Sequence, residues 1–357
     1  MALADLALSR SRLDKVSDDR TAEGLLAALL QDPTTSLLPL RDGRVPVLTT
    51  EASAGTPDGS TTSGPRARAA PGLRTLRGEG AAALIEALGG AAAVAADGHD
   101  PSSSTVAVHL GRFPDDDPRA PGALVGLLLP SALPGLDERA TATVSAALAA
   151  PDGGLRDLGA ILPDTDAGAL TEAVALEAWH RLAPRCPRCG GPTEVRAAGH
   201  ERVCPADGSS HHPRHDPAVI MTVTDPAGRL LLGHARHWPP GRFSAFAGFV
   251  EPGESLEAAV SRELMEESGV TAREVTYLGS QPWPFPASIM LAFHVETDDT
   301  EAVPDGEEIT EARWFDRQGL RDAVESGEIT VPPEVSVARH LIERWLGGRL
   351  ERHGTWR

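Results

Sequence analysis

An α+β architecture is expected for this chain of 357 residues, and three observations carry that expectation. From Ala218 onward, β-rich runs alternate with turns and only two helical patterns interrupt them, which suits an α/β/α sandwich around a mixed sheet. A short segment between Cys186 and Cys204 holds every cysteine of the chain. Ahead of it, short apolar runs and Ala-rich stretches predict a separate mixed α/β domain. The expected boundaries are 1–183 for the amino-terminal domain, 184–214 for the cysteine segment and 215–350 for the sandwich.

Composition bounds the function. Apolar residues make up 41% of the chain, enough for a sizeable core in two or three domains. The formal charge of −18 argues against broad affinity for nucleic acid or anionic membrane. The basic cluster Arg339, Arg344, Arg349, Arg352 and Arg357 reads as the solvated face of a last helix. Met1 to Arg20 carries charges throughout and does not read as a signal peptide. No stretch is long and apolar enough to span a membrane. Three cysteines make no disulfide framework, so a reducing compartment, the cytoplasm, is expected.

In the amino-terminal domain, Arg44–Thr50, Thr105–Leu110 and Leu124–Leu129 predict short strands. Ala81–Leu88 and Ala140–Ala150 predict helices on propensity alone. The Ser, Thr, Gly, Pro and Ala run between Glu51 and Gly72 reads as a surface loop or insertion. Gly89-Gly90 lacks the strand and helix context of a phosphate loop. Asp166–Leu182 predicts a helix with Leu170, Val174, Ala178 and Leu182 on one face, linking this domain to the next.

Cys186-Pro-Arg-Cys189 forms a knuckle of the kind that grips tetrahedral zinc, and Cys204-Pro-Ala-Asp207 stands where a second knuckle belongs. Zinc accepts carboxylate oxygen, so Asp207 is a candidate fourth ligand. His200, His211 and His212 are its rivals in sequence reach. An empty, degenerate ribbon is the other reading. A redox pair fits poorly, because no β-α-β setting surrounds the cysteines.

The sandwich begins with strands at Ala218–Thr224 and Arg229–Leu232, joined by the turn Asp225-Pro-Ala-Gly228. Ser244–Phe249, Val275–Gln281, Ile289–Val295 and Ala312–Phe315 are further strands. Val335–Leu346 closes the chain as a helix with Val337, Leu341, Ile342 and Trp345 inward. Between them lies Gly248-Phe-Val-Glu-Pro-Gly-Glu254, a Gly-rich loop leading to a helix that starts at an Ser255 N-cap and stops at Gly269. Leu256, Ala259, Val260 and Leu264 recur at helical spacing and face a core. Glu263 and Glu267 stand four apart on one helical face, with Glu266 beside them. Such like charges repel until hard oxygen ligands hold Mg²⁺ or Mn²⁺. Glu254 can reach the same region, and Arg262 can fix a carboxylate by a bidentate pair. A lone Glu pair of this kind is usually a solvated acidic face; the full pattern of fixed Gly, Glu and Arg is what argues otherwise.

Gly248 to Val270 resembles the Nudix box, G-x5-E-x7-R-E-U-x-E-E-x-G-U with U aliphatic, at every specified position. The resemblance implies a Nudix fold and metal-dependent cleavage by water of a nucleoside diphosphate linked to another group. Beyond the box, Ser280-Gln-Pro-Trp-Pro-Phe-Pro-Ala-Ser288 sets Trp283 and Phe285 on a stiff chain, able to offer flat rings at low ordering cost. An arbitrary Pro-rich turn would simply pack those rings. This one is similar to the SQPWPFPxS signature of the NADH pyrophosphatase subfamily, which also carries the preceding ribbon of Cys knuckles. The resemblance covers roughly residues 186 to 345.

That subfamily splits NAD(H) into nicotinamide mononucleotide and AMP, some members remove NAD caps from RNA, and they act as homodimers with Mg²⁺ or Mn²⁺. Carried over, the resemblance implies metal contacts from the Ala247 carbonyl, Glu263, Glu267 and Glu308, with Glu307 adjacent. It implies substrate contacts from Gln281, Pro282, Trp283, Pro284, Phe285, Pro286, Ala287, Ser288 and Ala338, and a nicotinamide stacked on Phe249. A second ring, a Tyr from the partner subunit in the family, is His212 here. The carboxylates expected to carry the reaction are Glu263, Glu266 and Glu267, and the expected base is left open among Glu266, Glu267 and Glu308. The other class of function is a sensor that binds NAD(H) or ADP-ribose without cleaving it. A sensor should have lost box carboxylates, and this chain retains them all.

Overall fold

The structure, a computed structural model, describes residues 6–16, 18–48, 71–95, 104–133, 135–149 and 151–350. The expected loop between Glu51 and Gly72 lies outside them as far as residue 70, as do Thr49, Thr50, Ala150, Arg352 and Arg357. The chain forms two compact units. One is Arg10–Arg214, and the other is the chain from His215 on together with the residues up to Ser9. The cysteine segment therefore belongs to the same unit as the residues ahead of it.

The first unit runs α1 (Leu25–Gln31), β1 (Ser36–Arg41), β2 (Arg44–Leu48), β3 (Gly72–Leu73), α2 (Gly78–Ala87), α3 (Ala91–Ala95), β4 (Val106–Arg112), β5 (Ala123–Leu129), α4 (Glu138–Leu148), β6 (Asp152–Gly154), α5 (Leu155–Leu158) and α6 (Asp164–Leu182). Its sheet has the order β3-β2-β1-β5-β4, with β6 on β2. The strand β1 was not among the expected strands, and it carries Pro39 at its middle. It pairs in parallel with β5 from Ser36↔Leu124 to Arg41↔Leu129. The Leu37 N–H points the other way, to the Leu76 carbonyl. Pro39, two residues on, turns its nitrogen to that same side, so its missing donor leaves the β5 ladder intact.

Helix α6 corrects the expectation of a one-faced linker. Leu170, Val174 and Ala178 are buried, but Leu182 is 64% exposed, and the polar residues Asp166, Glu177 and His180 are buried as well. Each has a partner: Asp166 takes the Leu73 N–H, Glu177 takes the Gly43 N–H, and His180 Nε2 lies 2.9 Å from the Gly199 carbonyl. The helix thus runs through the interior of its unit. Its polar residues are not a solvent face, so helical periodicity could not find its true surroundings.

After α6 come β7 (Glu194–Arg196), β8 (Glu201–Val203) and β9 (Ser210–His211), a three-stranded antiparallel ribbon. It sits against β4. A Cβ on Gly199 would meet Val108 Cγ1 at 2.4 Å, and His200 Nε2 is 2.8 Å from the His109 carbonyl. Arg202, fully buried, donates to Thr193 and lies 3.0 Å from His180 Nδ1, tying ribbon to helix.

The second unit runs β10 (Asp216–Thr224), β11 (Leu230–Ala235), β12 (Phe246–Phe249), α7 (Leu256–Ser268), β13 (Glu274–Trp283), β14 (Ser288–Glu296), β15 (Ile309–Phe315), α8 (Arg317–Glu325) and α9 (Val337–Leu346). Its sheet has the order β13-β14-β10-β11-β15, with β12 on β10. Strand alternation sorts its two faces. Val219, Met221 and Val223 pack with Ala259, Val260 and Leu264 of α7, whereas Ile220 packs with Val337, Ala338 and Leu341 of α9. This is the expected sandwich, with α8 as an extra helix. Asp316 caps α8 by accepting the Gly319 N–H, and Leu320, Ala323 and Val324 bury its face. The expected solvated face of α9 also needs correction. Arg339 is buried, held by Glu343 and the Leu350 carbonyl at 2.7 Å each, while Arg344 and Arg349 are exposed.

Candidate active site and metal centre

The box begins on β12, antiparallel to β10 from Ala218↔Phe249 to Met221↔Phe246. Ser255 Oγ accepts the Ala258 N–H at 3.2 Å and starts α7; Gly269, left-handed at φ 67°, ends it. Two more glycines have physical reasons. Gly253 turns the loop at φ +89°. Gly248 makes room, because a Cβ there would fall 1.9 Å from Glu263 Cδ. With Ala259, Val260 and Leu264 buried, the carboxylates of α7 are directed back toward β12.

Arg262 organises them. Its Nε and Nη2 donate to the two oxygens of Glu254 at 2.9 Å each, the expected bidentate pair. Nη1 donates to Glu263 Oε1 at 2.9 Å and Glu266 Oε2 at 3.0 Å, and Nη2 also to the Phe249 carbonyl at 2.9 Å. One guanidinium thus neutralises part of the repulsion among three box carboxylates. Glu267 has no share in it. It is 7% exposed, and its Oε2 is buried without a hydrogen-bond partner among the described residues. Burial, then Glu263 and Glu308, push its carboxyl up to about 8. A buried acceptor in the field of two further carboxylates suits a divalent cation of the hard-oxygen class.

A cavity of about 570 Å³ opens beside Glu267. The sequence-predicted residues Ala247, Glu267, Glu308, Trp283 and Ala338 line it, with Glu307 as well. Glu263 lies behind Gly248, and Glu266, paired with Arg262, stays outside the lining. Sequence reasoning missed Arg236, His237 and Trp238 on one wall and Met290 on another. The first three carry no motif; their only signal is position, in the link between the strand β11 and the box. Ring contacts place Trp238 edge-on to His234 and His237.

The Pro-rich segment closes the hairpin from β13 to β14. Trp283 meets Phe285 edge-on at 5.1 Å. Pro284 and Ser288 are buried, Pro282 and Ala287 half-buried, and Pro286 exposed. The Gln281 side chain is fully buried and already engaged: its amide donates to the Val335 carbonyl at 3.0 Å, and its oxygen takes the Leu8 N–H at 3.4 Å. Phe249 ends β12 with 61% of its surface exposed. His212 is exposed just after β9, in the other unit.

The ribbon holds a second constellation. One ligand atom each from Cys186, Cys189, Cys204 and Asp207 lie within 4.8 Å of one another. Cys189 and Cys204 sulfurs are 3.5 Å apart, and Cys186 Sγ is 3.4 Å from Asp207 Oδ2. The Arg188 and Gly191 N–H groups donate to the Cys186 and Cys189 sulfurs at 3.4 Å each, as suits thiolates around a cation. Three soft sulfurs and one carboxylate at these spacings fit a tetrahedral ion. Of the rival histidines, His200 faces the His109 carbonyl, and neither it nor His212 joins the four. His211 borders the cluster, hydrogen-bonded to Cys186 and with Nε2 3.1 Å from Ser209 Oγ, but is not among the four.

Two family models match the segments in which these constellations lie. The NUDIX domain family matches residues 214–333, and the NADH pyrophosphatase zinc ribbon domain family matches residues 181–211. Over 201 residues the chain is 45% identical to the NAD-capped RNA hydrolase NudC of Mycobacterium bovis (strain BCG / Pasteur 1173P2), covering 54% of this chain and 64% of that one. Over 197 residues it is 40% identical to the NAD-capped RNA hydrolase NUDT12 of Homo sapiens, covering 52% and 43%. A solved NUDIX hydrolase from Nitrosomonas europaea aligns at 23% identity and a TM-score of 0.34, covering 48% of this chain and 98% of that one. The chain thus spans less than two thirds of the length of these curated relatives.

Proposed function

We propose that this chain, which carries a Nudix domain behind an NADH pyrophosphatase zinc ribbon, hydrolyses the pyrophosphate of NAD(H) to nicotinamide mononucleotide and AMP. NAD-capped RNA 5′ ends are a second substrate of the same site. The observation that carries this reading is one cavity lined both by the carboxylates Glu267 and Glu308 and by Trp283 of the Pro-rich segment. It offers a place for the diphosphate beside a place for a flat ring. The names of the mycobacterial and human relatives support the substrate class.

Glu263, Glu267, Glu308 and the Ala247 carbonyl would hold Mg²⁺ or Mn²⁺. When bound, the cation supplies charge neutralisation on the diphosphate and a more acidic water. Arg262 keeps Glu254, Glu263 and Glu266 gathered without drawing on Glu267. A water oxygen bonds to one phosphorus while the bridging P–O bond breaks, and the water proton passes to a carboxylate. Of the three candidate bases, Glu267 and Glu308 line the cavity and Glu266 does not. Trp283 and Phe249 are the rings we assign to the substrate's bases, with His212 supplied by the partner of a homodimer. Cys186, Cys189, Cys204 and Asp207 hold structural zinc. With all three thiols in that cluster, none is left for a disulfide, in keeping with the cytoplasmic setting we propose. Among the described residues, no helix is long and apolar enough to cross a membrane.

The test is product analysis after incubation with NADH or NAD-capped RNA and Mn²⁺, for the wild type and Glu267→Gln. The expected result is nicotinamide mononucleotide, reduced from NADH, and AMP or 5′-monophosphate RNA, with most turnover lost in a variant that keeps its fold. Binding of NAD(H) with no product would favour the non-catalytic sensor. Near wild-type turnover of Glu267→Gln at saturating Mg²⁺ would overturn the assignment of that carboxylate.

A further inference from the structure

The loop that carries Glu308 is exposed, yet its backbone is held on both sides. Asp305 Oδ2 accepts the Glu308 N–H at 2.9 Å, and Oδ1 accepts the Ile309 N–H at 2.8 Å. The Glu308 carbonyl accepts the Arg236 N–H at 2.9 Å. The Arg236 guanidinium reaches across the loop and donates from Nη2 to the Gly306 carbonyl. Gly306, at φ +73°, closes the turn with its N–H on the Ile309 carbonyl at 2.9 Å. Arg236 directly follows the register shift between His234 and Ala235, where the pairing of β11 with β15 becomes irregular. Such an irregularity re-aims the residues beyond it.

Charge alone does not explain Asp305. It adds a further anion next to Glu263, Glu267 and Glu308, which already repel one another. What it contributes is a pair of acceptors for the amides of Glu308 and Ile309. Arg236 supplies the complementary donors, one to Glu308 itself and one to Gly306. Without these bonds, repulsion would drive an exposed glutamate out toward solvent. Ordering its backbone before a cation arrives lowers the cost of assembling the ligand set.

We propose that Asp305 and Arg236 are positioning residues that pre-set Glu308 toward Glu267 for divalent-cation binding. This rests on the reading of Glu308 as a metal carboxylate. Mn²⁺ binding followed by electron paramagnetic resonance, with thermal unfolding as a control, tests it on the full chain. Asp305→Ala is expected to weaken Mn²⁺ binding on the order of tenfold, with little change in Tm and with turnover recovered at excess Mn²⁺. Asp305→Asn, which keeps one acceptor oxygen, should fall between it and the wild type. Arg236→Ala should weaken binding in the same direction. In a Glu308→Gln background, Asp305→Ala should add nothing, because its effect passes through Glu308. If Glu308→Gln alone leaves Mn²⁺ binding unchanged, the metal reading of Glu308 fails. If Glu308→Gln weakens binding but Asp305→Ala does not, or adds its full effect in the double variant, the positioning role fails. Unchanged binding in Arg236→Ala removes Arg236 from it.

Discussion

Gly248 and Glu263 occupy the same space: a side chain on the first would begin 1.9 Å from the carboxyl carbon of the second. The strand β12 and the helix α7 approach this closely because one residue of the pair has no Cβ. The atom in the way is the far end of a flexible side chain, so Gly248→Ala should displace the carboxylate rather than the backbone. The expected outcome is a Tm within a few degrees of wild type and turnover reduced on the order of a hundredfold, the usual effect of misplacing a reacting group by about 1 Å. Parallel thermal melts and rate measurements check it. A large fall in Tm would show instead that the glycine serves the fold.

Cation binding should release a proton. Glu267 is pushed up to about 8 by burial and by its carboxylate neighbours, so it is largely protonated at neutral pH in the metal-free protein. Cation and proton compete for it, so metal affinity should rise with pH up to about 8 and then level. Calorimetric Mn²⁺ titrations at pH 7 in buffers of different ionisation enthalpy will show the release as a buffer-dependent heat. Glu267→Gln should abolish that dependence, and a buffer-independent heat in the wild type would contradict the prediction.

The fourth ribbon ligand can be separated from its rivals. The spacing of Cys186, Cys189, Cys204 and Asp207 predicts one tetrahedral ion per chain. Asp207→Ala should lose metal readily to a chelator, whereas Asp207→Cys should hold it at least as well as the wild type. His211→Ala should leave the stoichiometry at one. Metal analysis after a graded chelator challenge reads all three, and full retention in Asp207→Ala would remove the aspartate from the site.

Glu177 predicts a pH-dependent stability in the amino-terminal unit. Burial raises its carboxyl to about 7, and the Gly43 N–H at 2.7 Å only partly offsets this. Below its ordinary value of 4.5 it is protonated both folded and unfolded, and contributes no difference. Above that, the unfolded chain ionises while the folded one resists, so stability falls as pH rises and levels above about 7. Glu177→Gln keeps an acceptor for Gly43 without the charge. It should stabilise the protein by about 2–3 kcal/mol at pH 8 and by much less at pH 5. Denaturant unfolding at both values checks this; an equal effect at both would exclude the ionisation argument.

Much of the second unit was legible because its signals are local. The Ser255 cap, the Gly269 stop and the spacing of Ala259, Val260 and Leu264 act within a few turns of chain, and α7 follows them. The strand β10 was legible as a β-rich apolar run, as suits a strand covered on both faces, with Val219, Met221 and Val223 buried on one and Ile220 on the other. The amino-terminal unit was less readable. β1 went unread, and whether its Pro39 is tolerated depends on which side the nitrogen faces, a property of the pairing. The polar residues of α6 disguised an interior helix because their partners, Gly43, Leu73 and Gly199, are distant in sequence.

The amino-acid order by itself determined the carboxylate set, the knuckle cysteines and the elements that carry them, since residue type and short spacing decide what a helix face or a turn can present. Only the folded chain decided which of these groups meet. It buried Glu267 Oε2 without a hydrogen-bond partner among the described residues, engaged the Gln281 side chain, kept His200 away from the sulfur cluster, and brought Arg236 to the loop of Glu308. The reason is physical: ligand reach, desolvation and close approach are set by distances between segments far apart in the chain, and no local pattern encodes those distances.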